Sequence, residues 1–285
     1  MLSTLLFSGI AMGCLYGLIA LGFVLIWNTA AIVNFAQGEF AMVSMFFALT
    51  GLTMMGLPLV IALIMGVVGA FLLGLLMERI AIRPILGVDP LSVITVTIGL
   101  QILFSNGAKF VWGTQPFVFP QYFGTAPVEF MGLRMQAQSL AIIVVVAVLA
   151  IAMHQISQKT KFGKSLRAVS QNRETASLMG INVSRTIALG IGCATGLAGI
   201  AGILMAPITF VSADLGLPLL IKSFIAAVLG GFGSYPGALI GGVIIGVLDN
   251  LIGFYISSEY RDVILFGLLI IMLLVRPSGL FPHHR

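Results

Sequence analysis

Residues 155–185 read QISQKTKFGKSLRAVSQNRETASLMGINVSR, and this is the only long stretch of the sequence with enough charge to require water. It contains six basic residues against a single acid, Glu174. The basic residues are Lys159, Lys161, Lys164, Arg167, Arg173 and Arg185. Because the sequence on both sides is strongly apolar, we interpret this stretch as an aqueous loop that joins two apolar halves of the chain.

The composition of the 285 residues is that of a membrane protein, with 59% hydrophobic and 8% charged residues. Apolar runs recur at about 20 residues, the length that a helix needs to cross a hydrocarbon core of roughly 30 Å. The alternating pattern of a membrane β-barrel is absent. The sequence therefore predicts an all-α polytopic membrane protein whose solvent is the lipid bilayer. The positive charges behind the net charge of +5 lie at the ends of apolar runs, where orientation in the membrane explains them. We therefore expect no nucleic-acid partner.

Nine apolar runs are candidate membrane spans, some of them short, which predicts about eight to nine transmembrane helices. They cover residues 4–27, 40–56, 58–77, 91–112, 138–155, 186–208, 219–234, 237–256 and 262–276.

The distribution of positive charge predicts the orientation, because cytoplasmic loops carry an excess of Lys and Arg. If 156–185 is cytoplasmic, counting crossings places four more arginines on the same side: Arg79, Arg83, Arg276 and Arg285. The exceptions among the fourteen basic residues are Lys109, Arg134, Lys222 and Arg261. We therefore expect the N-terminus outside and the C-terminus inside.

An internal repeat is visible when the two halves are compared. Residues 13–18 (GCLYGL) match residues 192–197 (GCATGL) at four of six positions. One residue of slip later, Gly38, Phe46, Ala48 and Pro58 align with Gly216, Phe224, Ala226 and Pro236. The matched spans are an odd number of crossings apart and so run in opposite directions, which is the inverted-topology repeat of many transporters.

The repeat predicts a single transmembrane domain over residues 1–285. Its first half-repeat covers about 1–112 and its second about 186–276. A linking span at 138–155 and the loop at 156–185 lie between them. The segment 113–137 falls outside the membrane and either docks a soluble protein or only connects two spans.

Polar residues interrupt the apolar sequence at corresponding places in the two halves. The first break contains Asn34, Gln37, Gly38 and Glu39, and the second contains Asp214, Gly216, Pro218 and Lys222. A charge at the bilayer centre costs roughly 2.5 to 3.5 kcal/mol on insertion scales, so these groups line a wet path or lie near an interface. Broken helices in corresponding positions indicate a translocation path. The alternative is a solvated turn followed by a lysine that extends toward water.

The fourth span has a polar stripe, which either faces a pore or bonds to a neighbouring helix. It consists of Thr95, Thr97, Gln101, Ser105 and Asn106. Asp249 and Asn250 are expected near the outer interface.

No catalytic or metal-binding constellation is present in the sequence. His154, His283 and His284 lack other donors at metal-ligand spacing, and there is no phosphate-binding G-x-x-x-x-G-K-[ST] loop. We therefore expect neither a metal, a cofactor nor enzymatic activity in this chain.

The basic loop contains the signals of one short helix, about Arg173 to Met179. Asn172 is a good N-cap, Glu174 lies in the first turn, where the helix dipole favours negative charge, and Gly180 can end the helix. Ala176 is small enough for close docking in a groove. The alternative is a solvated helix that covers the bundle.

Six stretches of the sequence together resemble a known family. They are 33–40 (VNFAQGEF), 162–168 (FGKSLRA), 172–176 (NRETA), 179–183 (MGINV), 226–234 (AAVLGGFGS) and 276–281 (RPSGLF). The chain resembles, over essentially its whole length, the bacterial ABC importer permeases of the branched-chain amino acid type.

The resemblance implies four partners besides the lipid bilayer of the bacterial inner membrane. They are a second homologous permease, a pair of cytoplasmic ATPase subunits that bind ATP and Mg²⁺, and a periplasmic substrate-binding protein. It also implies that residues of the basic loop couple this chain to the ATPases: Gly163, Arg167, Asn172, Arg173, Glu174, Ala176, Met179 and Gly180.

The resemblance leaves the substrate open, because related permeases import branched-chain and other amino acids but also urea and short amides. An ion-coupled secondary transporter or a channel is a further alternative, since an inverted repeat fits those classes as well.

Overall fold

A computed structural model of the protein describes residues 2–87, 89–122, 127–130, 133–257, 259–276 and 278–281. His283, His284 and Arg285, and residues 123–126 and 131–132 of the 113–137 segment, lie outside the described residues.

The described chain is nearly all helical, as the sequence predicts. Every candidate span forms a helix: α1 Leu2–Ala30, α2 Gln37–Thr53, α3 Leu59–Met77, α4 Pro90–Trp112, α5 Ala137–Lys159, α8 Val183–Met205, α9 Gly216–Gly230, α10 Tyr235–Tyr255 and α11 Arg261–Val275. Two shorter helices, α6 Lys161–Gln171 and α7 Arg173–Leu178, lie between α5 and α8. A π-helical turn, Glu78–Ile82, and a 3-10 turn, Arg83–Ile85, continue α3.

One short part of the described chain is not helical. Strands β1 Pro127–Phe130 and β2 Leu133–Gln136 form an antiparallel hairpin before α5. In the same 113–137 segment, Phe117 pairs with Val211 through backbone hydrogen bonds of 2.9 and 2.8 Å. This segment is therefore tied to the chain that follows α8.

Six of the helices are long and apolar enough to cross a membrane: α1, α3 with its continuation, α4, α5, α8 and α10. The remaining apolar helices are shorter, with 17 residues in α2 and 15 in each of α9 and α11. At about 1.5 Å per residue, helices of that size reach roughly 22 to 26 Å. The number of full crossings and their orientation therefore stay predictions.

Helix α1 lies at the centre of the bundle and packs closely on α10. A Cβ atom on Gly246 would collide with the backbone of Gly13, and one on Gly242 with the backbone of Gly17. The residue numbers rise along α1 as they fall along α10, so the two helices are antiparallel. The small residues bring two helix backbones together, as they do in many membrane proteins.

The contacts of the first half have counterparts in the second half. Helix α1 packs on α10, and helix α8, which the repeat matches to α1, packs on α3. The pairs α2–α3 and α9–α10 are both antiparallel. Helices α1 and α8 are themselves antiparallel, because Gly22 lies at Ala194 and Thr29 lies at Gly190. An inverted repeat requires this arrangement.

Candidate functional site

The N-terminal ends of α2 and α9 meet between the two halves. A Cβ atom on Gly38 would collide with the carbonyl oxygen of Gly216, and one on Gly216 would fall on the carboxylate of Glu39. Gly38 and Gly216 are the residues that the repeat aligns with each other. A contact between Gly38 and Gly216 is expected if the two-fold axis that relates the halves passes between these residues. The contact places the two predicted breaks side by side.

The acid at this junction is Glu39, which is buried and only 1% exposed. Its Oε1 atom accepts a hydrogen bond of 3.1 Å from Nε2 of Gln101 on α4. Its Oε2 atom has no hydrogen-bond partner among the described residues. Glu39 lies in the first turn of α2, where the helix dipole favours a negative charge.

Asn34 and Gln37 are buried beside Glu39, but their polar atoms hold the backbone in place. The Oδ1 atom of Asn34 accepts a hydrogen bond of 3.0 Å from the backbone N–H of Ala36. The Gln37 amide donates one of 2.9 Å to the carbonyl of Ala194 on α8. These two residues therefore fix the turn between α1 and α2 against α8.

The polar stripe of α4 divides between two faces. Gln101 contacts Glu39, and Ser105 donates a hydrogen bond of 3.0 Å to the carbonyl of Ala213. Thr97 is buried and Thr95 is exposed, and each donates its hydroxyl to a carbonyl of its own helix. Of the α4 residues predicted for the path, only Gln101 bonds to another predicted residue among those described.

Asp214, in the second break, pairs with Lys109 near the C-terminal end of α4. The Lys109 Nζ atom lies 2.6 Å from Oδ1 of Asp214, and the Asp214 side chain is largely exposed. The structure therefore does not bring Asp214 into hydrogen-bond contact with Glu39.

An apolar groove of about 360 Å³ lies beside Gln101, between α4, α9 and α11. Its lining includes Phe35, Gln101, Leu217, Leu220, Phe224 and Leu269. Gln101 is the one polar side chain among the described residues that line it. The amide of Gln101 thus belongs both to the wall of the groove and to the hydrogen bond that holds Glu39.

Lys222 was predicted for the same path, but it lies on a different face of α9, toward α1 and α10. Its Nζ atom is 2.9 Å from Oδ2 of Asp249, and the Tyr16 hydroxyl donates to the same oxygen at 3.1 Å. The alternative of a lone lysine that extends toward water is wrong, because Lys222 is paired and largely buried. Asp249, expected at an interface, is buried within the bundle. The sequence has no signal for this pair, whose members lie 27 residues apart on different helices.

Gly163 and Arg167 fold α6 back against the end of α5. Thr160 caps α6 by accepting a hydrogen bond of 3.1 Å from the Gly163 N–H, and a Cβ atom on Gly163 would collide with the carbonyl of Ser157. The Arg167 guanidinium donates a hydrogen bond of 2.6 Å to the same carbonyl. Helix α6 was not predicted, although Phe162, Leu166 and Val169 recur at helical spacing.

Helix α7 has the end signals that the sequence predicts. Asn172 Oδ1 accepts a hydrogen bond of 2.9 Å from the Thr175 N–H, and Gly180 follows the helix with a φ of +82°. The helix ends at Leu178, one residue earlier than expected. Glu174 is exposed in its first turn.

The two sides of α7 differ in exposure. Ala176 is 3% exposed, so it faces this chain and not the outside, contrary to the expectation that it docks elsewhere. Arg173 donates a hydrogen bond to the carbonyl of Ala30, the last residue of α1. Leu178 and Met179 are 84% and 79% exposed. An exposed apolar tip therefore lies at the C-terminal end of α7, while the rest of its exposed surface carries Glu174, Thr175 and Ser177.

The sequence model of a protein family described as "Branched-chain amino acid transport system / permease component" matches residues 5–273. The chain belongs to this permease family.

Relatives match the permease over nearly their full length. It is 33% identical to the high-affinity branched-chain amino acid transport system permease protein LivH of Escherichia coli, over 96% of this chain and 94% of LivH. It is 31% identical to the corresponding protein BraD of Pseudomonas aeruginosa, with the same coverage.

The fold is also similar to a solved structure. A chain in the structure "PsaBC from Streptococcus pneumoniae in complex with Fab" superposes with a TM-score of 0.52 at 12% identity, over 97% of this chain and 92% of that chain. Such low identity supports a shared fold and no more.

The permease is therefore a multi-pass protein of the bacterial inner membrane, and its family takes part in branched-chain amino acid transport. These comparisons do not favour a urea or short-amide importer, an ion-coupled transporter or a channel.

Proposed function

We propose that the permease is the membrane-spanning subunit of an ATP-driven importer for branched-chain or other hydrophobic amino acids. It works by alternating access with a second homologous permease. Two cytoplasmic ATPase subunits bind ATP and Mg²⁺, and a periplasmic binding protein docks on the outer loops, including part of 113–137. The observation that carries the proposal is the family match over residues 5–273.

Helix α7 is the docking element for an ATPase subunit on this proposal. Leu178 and Met179 form an exposed apolar tip in the most basic segment of the chain. Exposed apolar side chains held on an ordered helix are typical of protein interfaces. Asn172 and Gly180 define the helix, and Ala176 holds it to the permease. Two further predicted coupling residues, Gly163 and Arg167, hold α6 against the end of α5.

Motion of the docked ATPase reaches the membrane through Arg173. This side chain connects α7 to the carbonyl of Ala30, at the end of α1. Asn34 and Gln37 follow Ala30 in the sequence and hold the turn before Glu39 in place. A displacement of α7 therefore acts on the α1–α2 turn, which borders the junction of the two halves.

We place the substrate path along Gly38, Glu39 and Gln101 and the groove beside them, with Thr97 next to it on α4. The buried carboxylate and the apolar groove support this placement. Lys222 and Asp214 are each paired elsewhere, and Thr95 is exposed. They lie outside the proposed contacts with substrate.

An affinity purification of the tagged permease from its native membrane tests this proposal. We expect it to recover an ATPase subunit and a second permease, and a binding protein that retains a branched-chain amino acid when its ligand is identified by mass spectrometry. Recovery of the permease without any ATPase, or of a binding protein that retains urea, would refute the proposal.

The role of α7 is tested by the double variant Leu178→Asp with Met179→Asp. We expect the amount of ATPase that co-purifies with this variant to fall at least tenfold. The matched control is Val118→Asp, which changes a similarly exposed apolar residue outside the 156–185 segment. Equal ATPase recovery from both variants would exclude α7 as the docking element.

A further inference from the structure

We propose that Glu39 binds the α-ammonium group of the transported amino acid while the adjoining groove holds its apolar side chain. This inference rests on the proposed function and names the part of the substrate that the permease itself recognises.

The first step of the argument is the charge balance around Glu39. Its Oε1 atom accepts only from a neutral amide, and its Oε2 atom has no hydrogen-bond partner among the described residues. Lys109, a cation near enough to act on Glu39, already lies 2.6 Å from Asp214. A buried carboxylate without a counter-charge is unfavourable, so the site favours a cation that supplies one.

The second step is the fit between this carboxylate and a primary ammonium group. An ammonium carries one positive charge and three N–H donors, whereas an ionised carboxylate only accepts. The unpartnered Oε2 atom can take one donor, and the carbonyl oxygen of the Gln101 side chain can take another. Hydrogen bonds between ionised groups are among the strongest in proteins.

The third step is the route from the groove to the carboxylate. Gln101 lines the groove and bonds to Glu39, so its side chain connects the two. Rotation of this side chain brings Glu39 into contact with a molecule in the groove. Gln101 is therefore a positioning residue that opens access to Glu39.

The fourth step is the nature of the groove. Its volume of about 360 Å³ falls within the size range of small-ligand sites, and aliphatic and aromatic side chains form its walls. An aliphatic side chain gains free energy when it leaves water for such a surface. Urea has neither an ammonium group nor an apolar side chain, so the site would discriminate against it.

The first test measures ATP-driven leucine uptake by the reconstituted complex with Glu39→Gln, Glu39→Asp and a control, Glu259→Gln, which changes an exposed acid. We expect Glu39→Gln to reduce uptake at least tenfold with ATPase subunits still bound. Glu39→Asp keeps the charge and should retain at least a third of wild-type uptake, and the control should not change. Uptake by Glu39→Gln within twofold of wild type would overturn the inference.

A second test keeps Glu39 intact and so does not depend on the folding of a Glu39 variant. In the assembled complex carrying Leu217→Cys, maleimide labelling of position 217 in the groove wall is followed by peptide mass spectrometry. We expect L-leucinamide, which has the ammonium and the side chain, to slow labelling at least threefold. We expect 4-methylpentanoate, which lacks the ammonium, to have no effect.

Equal protection by both compounds, or by neither, would contradict the role of Glu39. These outcomes are separate from failure of the proposed function, which would appear as absence of ATP-dependent leucine uptake by the wild-type complex.

Discussion

The ammonium group of Lys222 on α9 lies 2.9 Å from the carboxylate of Asp249 on α10, in a pair that is almost completely buried. The Tyr16 hydroxyl on α1 donates to the same carboxylate, and the Lys222 ammonium lies 5.7 Å from the centre of the Tyr16 ring. Three helices from both halves of the repeat are thus joined by one polar cluster. Removing one partner of a buried ion pair leaves the other charge uncompensated. Replacing both partners with apolar residues leaves no buried charge.

We predict that Lys222→Met destabilises the permease by about 3 to 5 kcal/mol. The double variant Lys222→Met with Asp249→Leu should recover a large part of this loss. Denaturant unfolding of the permease in detergent, followed by tryptophan fluorescence, measures both changes. A double variant no more stable than the single one would show that the pair is not a self-contained unit.

Gly246 on α10 provides a second prediction, because a Cβ atom there would collide with the backbone of Gly13 on α1. We expect Gly246→Ala to lower the thermal unfolding temperature. Its matched control is Gly267→Ala on α11, where no atom lies within 4 Å of the added Cβ. Alanine is more favourable than glycine in a helix by roughly 0.5 to 1 kcal/mol, so the control should be neutral or stabilising. Equal effects of the two substitutions would contradict the close packing of α1 on α10.

Arg173 provides a prediction about coupling, because its guanidinium connects α7 to the carbonyl of Ala30. We expect Arg173→Ala to retain the ATPase subunits, since the proposed docking residues Leu178 and Met179 are unchanged, but to lower the leucine transported per ATP hydrolysed at least threefold. Arg185→Ala, which removes an exposed arginine of the same basic segment, is the control. The ratio of uptake to phosphate release in proteoliposomes is the measurement. An unchanged ratio in Arg173→Ala would exclude this route from α7 to α1.

The helices of this protein could be predicted from sequence because each is a local feature. Apolar runs identify nine helices of the part of the chain that the structure describes. The cap at Asn172 with the stop at Gly180 identifies α7 within one residue. Helix α6 was missed because its apolar face is narrow and most of its residues are polar. The paired strands β1 and β2 were missed because each is only four residues long.

The site was harder to predict than the helices because its contacts come from distant parts of the chain. The alignment of Gly38 with Gly216 joins two residues that are in contact in the structure. Side-chain partners could not be inferred in this way: Lys222 was grouped with Glu39, but it pairs with Asp249. The direction in which Ala176 faces was also beyond the sequence, since a six-residue helix can present any of its sides outward.

The central claim is that this permease moves branched-chain amino acids by using ATP hydrolysed in partner subunits. Uptake of radiolabelled leucine into proteoliposomes that contain the complete complex and its binding protein tests it most directly. The claim predicts uptake that requires ATP on the ATPase side, persists when ion gradients are collapsed, and is competed by isoleucine and valine but not by urea. Leucine uptake without ATP that depends on an ion gradient, or ATP-driven uptake of urea and not leucine, would contradict it.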